Sequence, residues 1–326
     1  VTDAITVDLA AETASGTAIG ANTKVEGIEN IMSGAGDDQL TGSAGDNIIE
    51  AGGGDDTLSG GAGDDTLDGG TGNDTAVFAD ATSGLTVDLT KGSADSDETG
   101  TDTLVGIENV TGGAGKDILV GDEGANILVG GAGDNILDGG AGDDRLEGGS
   151  DDDTFKVSDG QDIIVTGGGD DTLEVSSGYT IQNIILDDAS GHLTFNLKKE
   201  DDSLHSVMVE NSKTAPLSTL RVRSEDDGVT KTTDFSLSVS YNETTNTFSA
   251  KTDSPTLIIG TGSAETLQGG AASDRLVGNA GDDILDGGGG DDALEGGPGA
   301  NIYRVSDGDD SVITSSELDV LEVGFD

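Results

Sequence analysis

The sequence predicts an all-β protein, built as right-handed parallel β-roll (β-solenoid) blocks with an antiparallel β-strand segment inserted between two of them. Three observations predict this class. An aliphatic residue recurs every nine positions, and an acidic or amide residue lies two positions before nearly every one of them. Glycine supplies 55 of the 326 residues, whereas aromatic residues make up only 3%. A fixed short period indicates a stacked repeat architecture, and so few bulky side chains argue against a conventional core.

One repeat has the pattern Gly-Gly-x-Gly-x-Asp-x-U-x, where U is apolar, as in residues 60–68. The glycine-rich first six residues predict a turn, because glycine accepts positive φ. The last three residues predict a short strand whose middle side chain points to one side. Two repeats then complete one coil, so that like turns of successive coils stack about 4.8 Å apart.

The apolar column predicts the core of each coil. Its register is unbroken within three blocks, residues 33–77, 112–174 and 260–322, which together contain nineteen repeats. The column consists of Leu40, Ile49, Leu58, Leu67 and Ala76 in the first block, Leu119, Leu128, Leu137, Leu146, Phe155, Ile164 and Leu173 in the second, and Leu267, Leu276, Leu285, Leu294, Tyr303, Val312 and Leu321 in the third.

The acidic column predicts cation binding. Two carboxylates about 4.8 Å apart repel each other by roughly 3 kcal/mol at an effective dielectric constant of ~20, so the stacked turns require a counter-ion. Ca²⁺ suits the pattern, because it binds six to eight hard oxygens and combines carboxylates with backbone carbonyls. The predicted metal ligands are Asp38, Asp56, Asp65, Asp74, Asp117, Asp144, Asp153, Asp162, Asp171, Asp274, Asp283, Asp292, Asp310 and Asp319. The preceding acidic residues, such as Asp37, Asp55, Asp64 and Asp143, are expected to face water.

These repeats resemble those of the RTX (repeats-in-toxin) family, whose haemolysin-type nonapeptide binds calcium. The resemblance implies that each ion lies between the turns of repeats n and n+2, and that it is bound by both Asp residues and by turn carbonyls. The glycines it implicates are Gly34, Gly36, Gly52, Gly54, Gly61, Gly63, Gly69, Gly140, Gly142, Gly149, Gly270, Gly288 and Gly290. The best pairs are Asp38/Asp56, Asp56/Asp74, Asp144/Asp162, Asp153/Asp171, Asp274/Asp292 and Asp292/Asp310. Weaker sites are expected where the column holds Asn47, Asn126, Asn135, Asn301 or Glu265.

Two connecting segments resemble each other. Thr6-Val7-Asp8-Leu9 matches Thr86-Val87-Asp88-Leu89, and Gly27-Ile28-Glu29-Asn30 matches Gly106-Ile107-Glu108-Asn109. Each is expected to run a strand beside the preceding coil, loop out and re-enter the solenoid, with a loop tip at 91–102. The predicted division is an N-terminal strand segment (1–32), a β-roll (33–175, with its connection at 78–111), an antiparallel β segment (176–258) and a second β-roll (259–326).

The segment 176–258 differs in composition. Alternating apolar residues, as in Leu193-Phe195-Leu197, predict antiparallel strands with one buried face. The segment holds both histidines and seven basic residues, namely Lys198, Lys199, Lys213, Arg221, Arg223, Lys231 and Lys251. A solvated face is the favoured interpretation of these residues, and contact with an acidic extracellular polysaccharide is the alternative. His192 and His205 are expected on the surface or on a strand face, without a catalytic role.

Charge and motifs limit the function. With 65 Asp and Glu against 14 Lys and Arg, the net charge of −51 disfavours nucleic acid and anionic membranes as partners. No apolar run is long enough to insert into a membrane, and there is no cysteine for a disulfide or thiolate site. The chain contains no His-Glu-x-x-His, Gly-x-Ser-x-Gly or Walker motif, so a non-enzymatic structural role is expected.

The RTX resemblance implies a bacterial protein that is secreted unfolded through type I secretion machinery and folds on extracellular Ca²⁺. Two more specific roles stay open. The chain could be an extender or surface-binding region of a cell-surface adhesin, or an accessory module of a secreted enzyme that contacts polysaccharide.

Overall fold

The computed structural model describes residues 3–17, 19–157, 159–175, 178–186, 192–199, 203–210, 219–226, 229–236, 239–242, 247–250, 254–260, 263–315 and 318–324. The regular elements in these residues are all β-strands, thirty-five in number. The predicted all-β solenoid class is therefore confirmed. The chain divides into two compact units, Val1–Gly169 and Asp170–Asp326.

The first unit contains nineteen strands, most of them only three to five residues long. They are β1 Ile5–Asp8, β2 Thr13–Gly16, β3 Gly20–Lys24, β4 Asn30–Met32, β5 Gln39–Ser43, β6 Ile48–Glu50, β7 Thr57–Gly61, β8 Thr66–Asp68, β9 Thr75–Val77, β10 Thr86–Asp88, β11 Ser93–Ser96, β12 Gly100–Val105, β13 Asn109–Thr111, β14 Ile118–Val120, β15 Ile127–Gly131, β16 Ile136–Asp138, β17 Arg145–Gly149, β18 Thr154–Lys156 and β19 Gln161–Gly167.

Within the first unit the strands form two sheets. One runs in the order β19-β17-β15-β13-β9-β7-β5-β1-β2-β3, and the other in the order β18-β16-β14-β10-β11-β12-β8-β6-β4. Repeat strands pair in parallel with an offset of eighteen residues, as in Leu40 opposite Leu58 and Leu119 opposite Leu137. Two nonapeptides thus make one coil, as the sequence predicts. The column residues from Leu40 to Ile164 are at most 1% exposed, so they form the core of this unit.

The connection 78–111 joins the sheets differently from the prediction. Strand β10 pairs in parallel with β14 of the following coil, and β12 pairs in parallel with β8 of the preceding coil. Antiparallel pairing with β11 links β10 to β12. The expected loop tip at 91–102 is also wrong. These residues include β11 and the start of β12, and Asp102 is only 2% exposed, because the backbone hydrogen bonds of a whole strand hold it against the preceding coil.

The second unit contains sixteen strands. They are β20 Thr172–Val175, β21 Tyr179–Leu186, β22 Leu193–Lys199, β23 Leu204–Val209, β24 Thr219–Asp226, β25 Val229–Ser236, β26 Val239–Asn242, β27 Thr247–Ala250, β28 Leu257–Ile259, β29 Thr266–Gln268, β30 Arg275–Val277, β31 Ile284–Asp286, β32 Ala293–Glu295, β33 Ile302–Val305, β34 Ser311–Ile313 and β35 Val320–Val323.

Antiparallel pairs occur in the segment 176–258, as its alternation predicts. They are β21 with β22, β22 with β23, β24 with β25, and β26 with β27. Leu193, Phe195 and Leu197 are buried along β22, which confirms one apolar face there. Two of these strands also pair in parallel with repeat strands, β24 with β20 and β27 with β29. Leu237, Lys213 and Lys251 lie outside the described residues.

The second β-roll consists of the sheets β26-β27-β29-β31-β33-β35 and β28-β30-β32-β34. Its core is the cluster formed by Ile258, Leu267, Leu276, Leu285, Leu294 and Tyr303. The expectation that Leu321 completes the buried column is wrong, because Leu321 is 57% exposed. Its strand β35 lies at the edge of the sheet and pairs only with β33, so no further coil covers that side chain in the described chain. A helix long and apolar enough to cross a membrane does not occur among the described residues.

Candidate metal centre

The acidic column is buried and bound to the backbone of neighbouring coils. Of the fourteen predicted Asp ligands, twelve are at most 3% exposed, whereas Asp310 and Asp319 are partly exposed. Oδ1 of a column residue accepts the backbone N–H of the column residue eighteen positions earlier. Asp38 N donates to Asp56 Oδ1 at 2.7 Å, and Asp274 N donates to Asp292 Oδ1 at 2.8 Å. This ladder fixes each carboxylate in the turn through Oδ1. In Asp117 and Asp274 the second oxygen accepts an N–H of its own turn, from Gly113 at 2.9 Å and from Gly270 at 2.5 Å.

The second carboxylate oxygen is the first sign of a cation site. Oδ2 of six column residues is buried and has no hydrogen-bond partner; these residues are Asp56, Asp65, Asp74, Asp144, Asp283 and Asp292. A buried ionised oxygen without a partner costs several kcal/mol. Recurrence of the same orphaned oxygen in both units indicates that the turns are built for a positively charged ligand.

The first glycine of the repeat provides the space around that oxygen. A Cβ atom at Gly69 would lie 2.5 Å from Asp74 Oδ2 and 2.3 Å from the Gly106 carbonyl oxygen. A Cβ atom at Gly278 would lie 2.5 Å from Asp283 Oδ2 and 2.7 Å from the Gly296 carbonyl oxygen. At both glycines a carboxylate oxygen and a carbonyl oxygen of the neighbouring coil lie close together, and a side chain would collide with them. This all-oxygen donor set fits Ca²⁺.

The second and fourth positions of the turn show the positive φ that their glycines permit. Nine of the thirteen implicated glycines have it, namely Gly52, Gly54, Gly61, Gly63, Gly140, Gly142, Gly149, Gly288 and Gly290. Gly34, Gly36, Gly69 and Gly270 do not. At Gly69 a side chain is excluded for a different reason, because it would collide with Asp74 Oδ2.

Burial makes these carboxyl groups reluctant to ionise. It is the largest cause that raises the pKa of Asp144 and Asp153 to about 6, and that of Asp162, Asp283 and Asp292 to about 7. Neighbouring carboxylates add to the effect: Asp144 raises the pKa of Asp162, and Asp310 raises that of Asp292. Backbone N–H donors partly oppose it. A divalent cation between the turns would remove both the desolvation cost and the repulsion.

In Asn47 and Asn126 a donor takes the place of the oxygen that forms the ladder, while Oδ1 lies beside the first glycine and accepts the N–H of Ser43 or Asp122 in its own turn. Asn47 Nδ2 donates to the Glu29 carbonyl at 2.5 Å, and Asn126 Nδ2 donates to the Glu108 carbonyl at 2.7 Å. Both acceptors belong to the Gly-Ile-Glu-Asn turn that precedes the coil. At these two junctions the amide itself links adjacent coils, and weaker cation binding at Asn stays a prediction.

The exposed acidic residues of the fifth position have a structural role beyond the expected one. Asp37, Asp55, Asp64 and Asp143 are exposed, as predicted. Asp37 Oδ1 accepts the N–H of Asp55 at 3.0 Å, and Asp55 Oδ1 accepts that of Asn73 at 3.0 Å. This outer ladder runs in the direction opposite to the buried one, so adjacent coils are held by carboxylates from both sides.

Sequence reasoning missed two acidic side chains in the connection, the buried Asp102 and the partly exposed Glu108. Asp65 N donates to Asp102 Oδ1 at 2.9 Å, and Asp74 N donates to Glu108 Oε2 at 2.8 Å. Each carboxylate accepts the N–H that, between regular repeats, is accepted by the column residue eighteen positions later. The spacing Gly100-x-Asp102-x-Leu104 is the second half of a nonapeptide and is the signal that could have identified Asp102. First-position glycines such as Gly60 were missed as well, and their recurrence in the repeat was the available signal.

Other metal or catalytic groupings are not apparent in the part of the chain that the structure describes. No three His, Cys, Asp or Glu side chains gather there in a way that could hold one metal ion. His205 Nε2 lies 2.8 Å from Ser203 Oγ, two residues away along the chain, and its ring contacts that of Tyr179 edge-on at 5.8 Å. These contacts place His205 in a local packing arrangement.

Fold and donor set together define a class of protein: a β-roll whose stacked glycine turns bind calcium. Comparison with known families agrees. The RTX calcium-binding nonapeptide repeat (4 copies) matches residues 25–58, 41–76, 103–137, 111–146, 138–173 and 259–294. The matched residues are RTX calcium-binding nonapeptide repeats, and they imply a calcium-binding structural module.

Similarity to individual proteins is limited. The crystal structure of extracellular lipase LipA from Serratia marcescens is 21% identical, over 64% of this chain and 32% of the lipase chain, with a TM-score of 0.22. This chain therefore spans about a third of the lipase, and a likeness at that TM-score carries no argument about fold or activity. No curated protein matches the chain.

Proposed function

We propose that this chain is a non-catalytic module that folds when calcium fills its stacked turns after secretion. The observation that carries the proposal is the buried, unpartnered Oδ2 oxygen repeated along the column, as in Asp56, Asp144 and Asp283. The ions are held between successive turns by the fourteen column Asp residues and by turn carbonyls, with Asp38/Asp56 and Asp274/Asp292 among the strongest pairs. Asp153 and Asp171 lie in different units, so that pair stays a prediction from the repeat pattern.

Coupling of folding to calcium follows from the charge. The net charge of −51 opposes a compact metal-free state, and a cation that binds only the folded turns contributes its binding free energy to folding. Sites with dissociation constants of ~10⁻⁴–10⁻³ M would fill in an extracellular medium and stay empty at cytosolic calcium. This supports export as an unfolded chain through type I machinery and folding at or outside the cell surface.

A calcium titration tests the proposal. Far-UV circular dichroism and native mass spectrometry would be recorded from EDTA to millimolar Ca²⁺, with Mg²⁺ in parallel. We expect little β signal in EDTA, a cooperative gain with Ca²⁺ that accompanies binding of several ions, and little response to Mg²⁺, which requires stricter geometry. A complete β spectrum in EDTA would overturn the proposal. The adhesin-extender and polysaccharide-contacting roles stay predictions, which a glycan array in calcium and in EDTA would separate.

A further inference from the structure

The connection 78–111 reproduces the stacked-turn geometry of the repeats at two places where the nonapeptide pattern is interrupted. At the first, β12 pairs with β8 so that Leu104 lies opposite Leu67, and Asp102 and Asp65, each two residues before its leucine, stack in register. Asp65 N donates to Asp102 Oδ1 at 2.9 Å, and Thr103 N donates to the Asp65 carbonyl at 2.8 Å.

The same reciprocal pair of hydrogen bonds joins a regular pair of turns. Asp38 N donates to Asp56 Oδ1 at 2.7 Å, and Thr57 N donates to the Asp38 carbonyl at 2.8 Å. The outer ladder continues too, because Thr101 N donates to Asp64 Oδ1 at 2.9 Å. Residues 97–102 therefore form a turn equivalent to those of the repeats, although the first two glycines are absent from it.

At the second place, the Gly106-Ile107-Glu108-Asn109 turn stacks on the turn that contains Asp74. Asp74 N donates to Glu108 Oε2 at 2.8 Å, and Asn109 N donates to the Asp74 carbonyl at 2.9 Å. The Gly106 carbonyl and Asp74 Oδ2 lie close together beside Gly69, as the Gly296 carbonyl and Asp283 Oδ2 do beside Gly278.

A buried, unsatisfied oxygen is present at both places. Asp65 is 2% exposed and Asp74 is fully buried, and Oδ2 of each has no hydrogen-bond partner. Each oxygen faces the space beside the first glycine of its own turn: a Cβ atom at Gly60 would lie 2.0 Å from Asp65 Oδ2. The acidic side chain added from the connection brings a second negative charge to each place; Asp102 is 2% exposed and Glu108 is partly exposed.

We propose that Asp102 with Asp65, and Glu108 with Asp74, bind two additional divalent cations, so that calcium clamps the connection onto the first repeat block. This inference rests on the proposed function, because it uses the same ligand chemistry. It goes further in assigning ligands to a segment without the Gly-Gly-x-Gly-x-Asp pattern. The connection then continues both acidic columns instead of interrupting them.

The test counts bound calcium by native mass spectrometry at saturating Ca²⁺ in Asp102→Asn, Glu108→Gln and the double variant. Asn and Gln keep an oxygen that accepts the N–H of Asp65 or Asp74 but lose the charge. Asp97→Asn is the matched control, since Asp97 is an exposed acidic residue of the same turn. We expect one ion fewer in each single variant, two fewer in the double variant and no change in Asp97→Asn.

The regular-column variant Asp56→Asn separates this inference from the proposed function. If wild type binds no calcium, both fail. If Asp56→Asn loses calcium while Asp102→Asn and Glu108→Gln keep the wild-type count, only the present inference is overturned. If a neutral variant does not reach the wild-type circular dichroism signal in calcium, the ion count is repeated with Asp102→Glu or Glu108→Asp, which keep the negative charge. Recovery of both the signal and the ion supports the assignment, and failure to recover the ion contradicts it.

Discussion

Replacement of Gly60 by alanine tests whether the first glycine of the repeat serves the carboxylate or merely the turn. The φ angle of Gly60 lies outside the left-handed region, so alanine meets no backbone strain there. Its Cβ atom would lie 2.0 Å from Asp65 Oδ2, 2.6 Å from Cγ and 2.8 Å from Cβ of Asp65. Ordinary contacts are about 3.5 Å, so the carboxylate must move by more than 1 Å and weaken its 2.7 Å hydrogen bond to Asn47 N.

The size of the effect follows from the two interactions disturbed. Overpacking costs about 1–3 kcal/mol, and loss of a hydrogen bond to a charged group costs about 1.5–3 kcal/mol. Because both arise from one displacement, we expect ~2–3 kcal/mol in total, which is a ~30- to 150-fold weaker calcium site. Isothermal titration calorimetry in competition with a chelator measures this change.

Gly45→Ala is the matched control for this prediction. A Cβ atom at Gly45 would have no heavy atom within 4 Å, and its φ also lies outside the left-handed region. The background Asp65→Ala removes the two closest contacts, those with Oδ2 and Cγ, and leaves the 2.8 Å contact with Cβ. Gly60→Ala should therefore cost less in that background, and the coupling in the double-mutant cycle reports the contact with the carboxylate. Equal calcium affinities for Gly60→Ala and Gly45→Ala would refute the reasoning.

Three further predictions follow from the column and its neighbours. Burial raises the pKa of Asp162, Asp283 and Asp292 from 3.8 to about 7. The folded metal-free chain therefore binds more protons than the unfolded chain between about pH 4 and pH 7, and its stability falls as pH rises through that window. Circular dichroism in EDTA should show more β-structure at about pH 5 than at pH 7.5, and the reverse order would contradict the pKa directions. Asn126→Asp removes the donor to the Glu108 carbonyl and adds a carboxylate. The calcium concentration needed for folding should therefore rise, while the number of ions bound at saturation increases by one. An unchanged number of bound ions in native mass spectrometry argues against the role given to the amide. Tyr303 is fully buried, and its hydroxyl accepts the N–H of Gly296 and donates to the Ile313 carbonyl, both at 3.1 Å. Tyr303→Phe should lower the free energy of unfolding in calcium by about 1–3 kcal/mol. Urea denaturation measures this loss, with Tyr179→Phe as the control, and equal losses in the two variants would refute a stabilising role for the buried hydroxyl.

How far the fold was predictable depends on the continuity of the period. Where the nine-residue spacing runs unbroken, it assigned strand, turn and facing correctly, down to the buried Leu128 and the exposed Asp64. Where it breaks, the contacts join residues 37 and 34 positions apart, as for Asp65 with Asp102 and Asp74 with Glu108. A period of eighteen cannot indicate such pairs, because they depend on how the hairpin of β10, β11 and β12 folds back onto the preceding coil.

The exposed end of the second β-roll marks a different limit. Pattern alone placed Leu321 in the column, and its strand does pair with β33 in the expected register, Leu321 opposite Tyr303. Burial, however, requires a neighbour on both sides, which depends on position in the stack and not on the identity of the residue. The same sequence motif thus has a buried leucine at Leu294 and an exposed one at Leu321.

The distribution of Asp and Asn along the column links these findings to metal binding. Asp and Asn side chains have nearly the same shape, and both can accept the N–H of the preceding coil through one oxygen. They differ at the terminal atom beside the first position of the turn: in Asn135 it is Nδ2, whereas in Asp144 and Asp283 it is Oδ2, and all three atoms are buried without a hydrogen-bond partner. An unpartnered neutral amide costs less than an unpartnered charge, so a column built only for packing could use Asn throughout and avoid the repulsion between carboxylates. The cost of retaining Asp at most positions is offset if a cation binds these oxygens, and Gly60→Ala displaces one of them, Asp65 Oδ2, by direct collision.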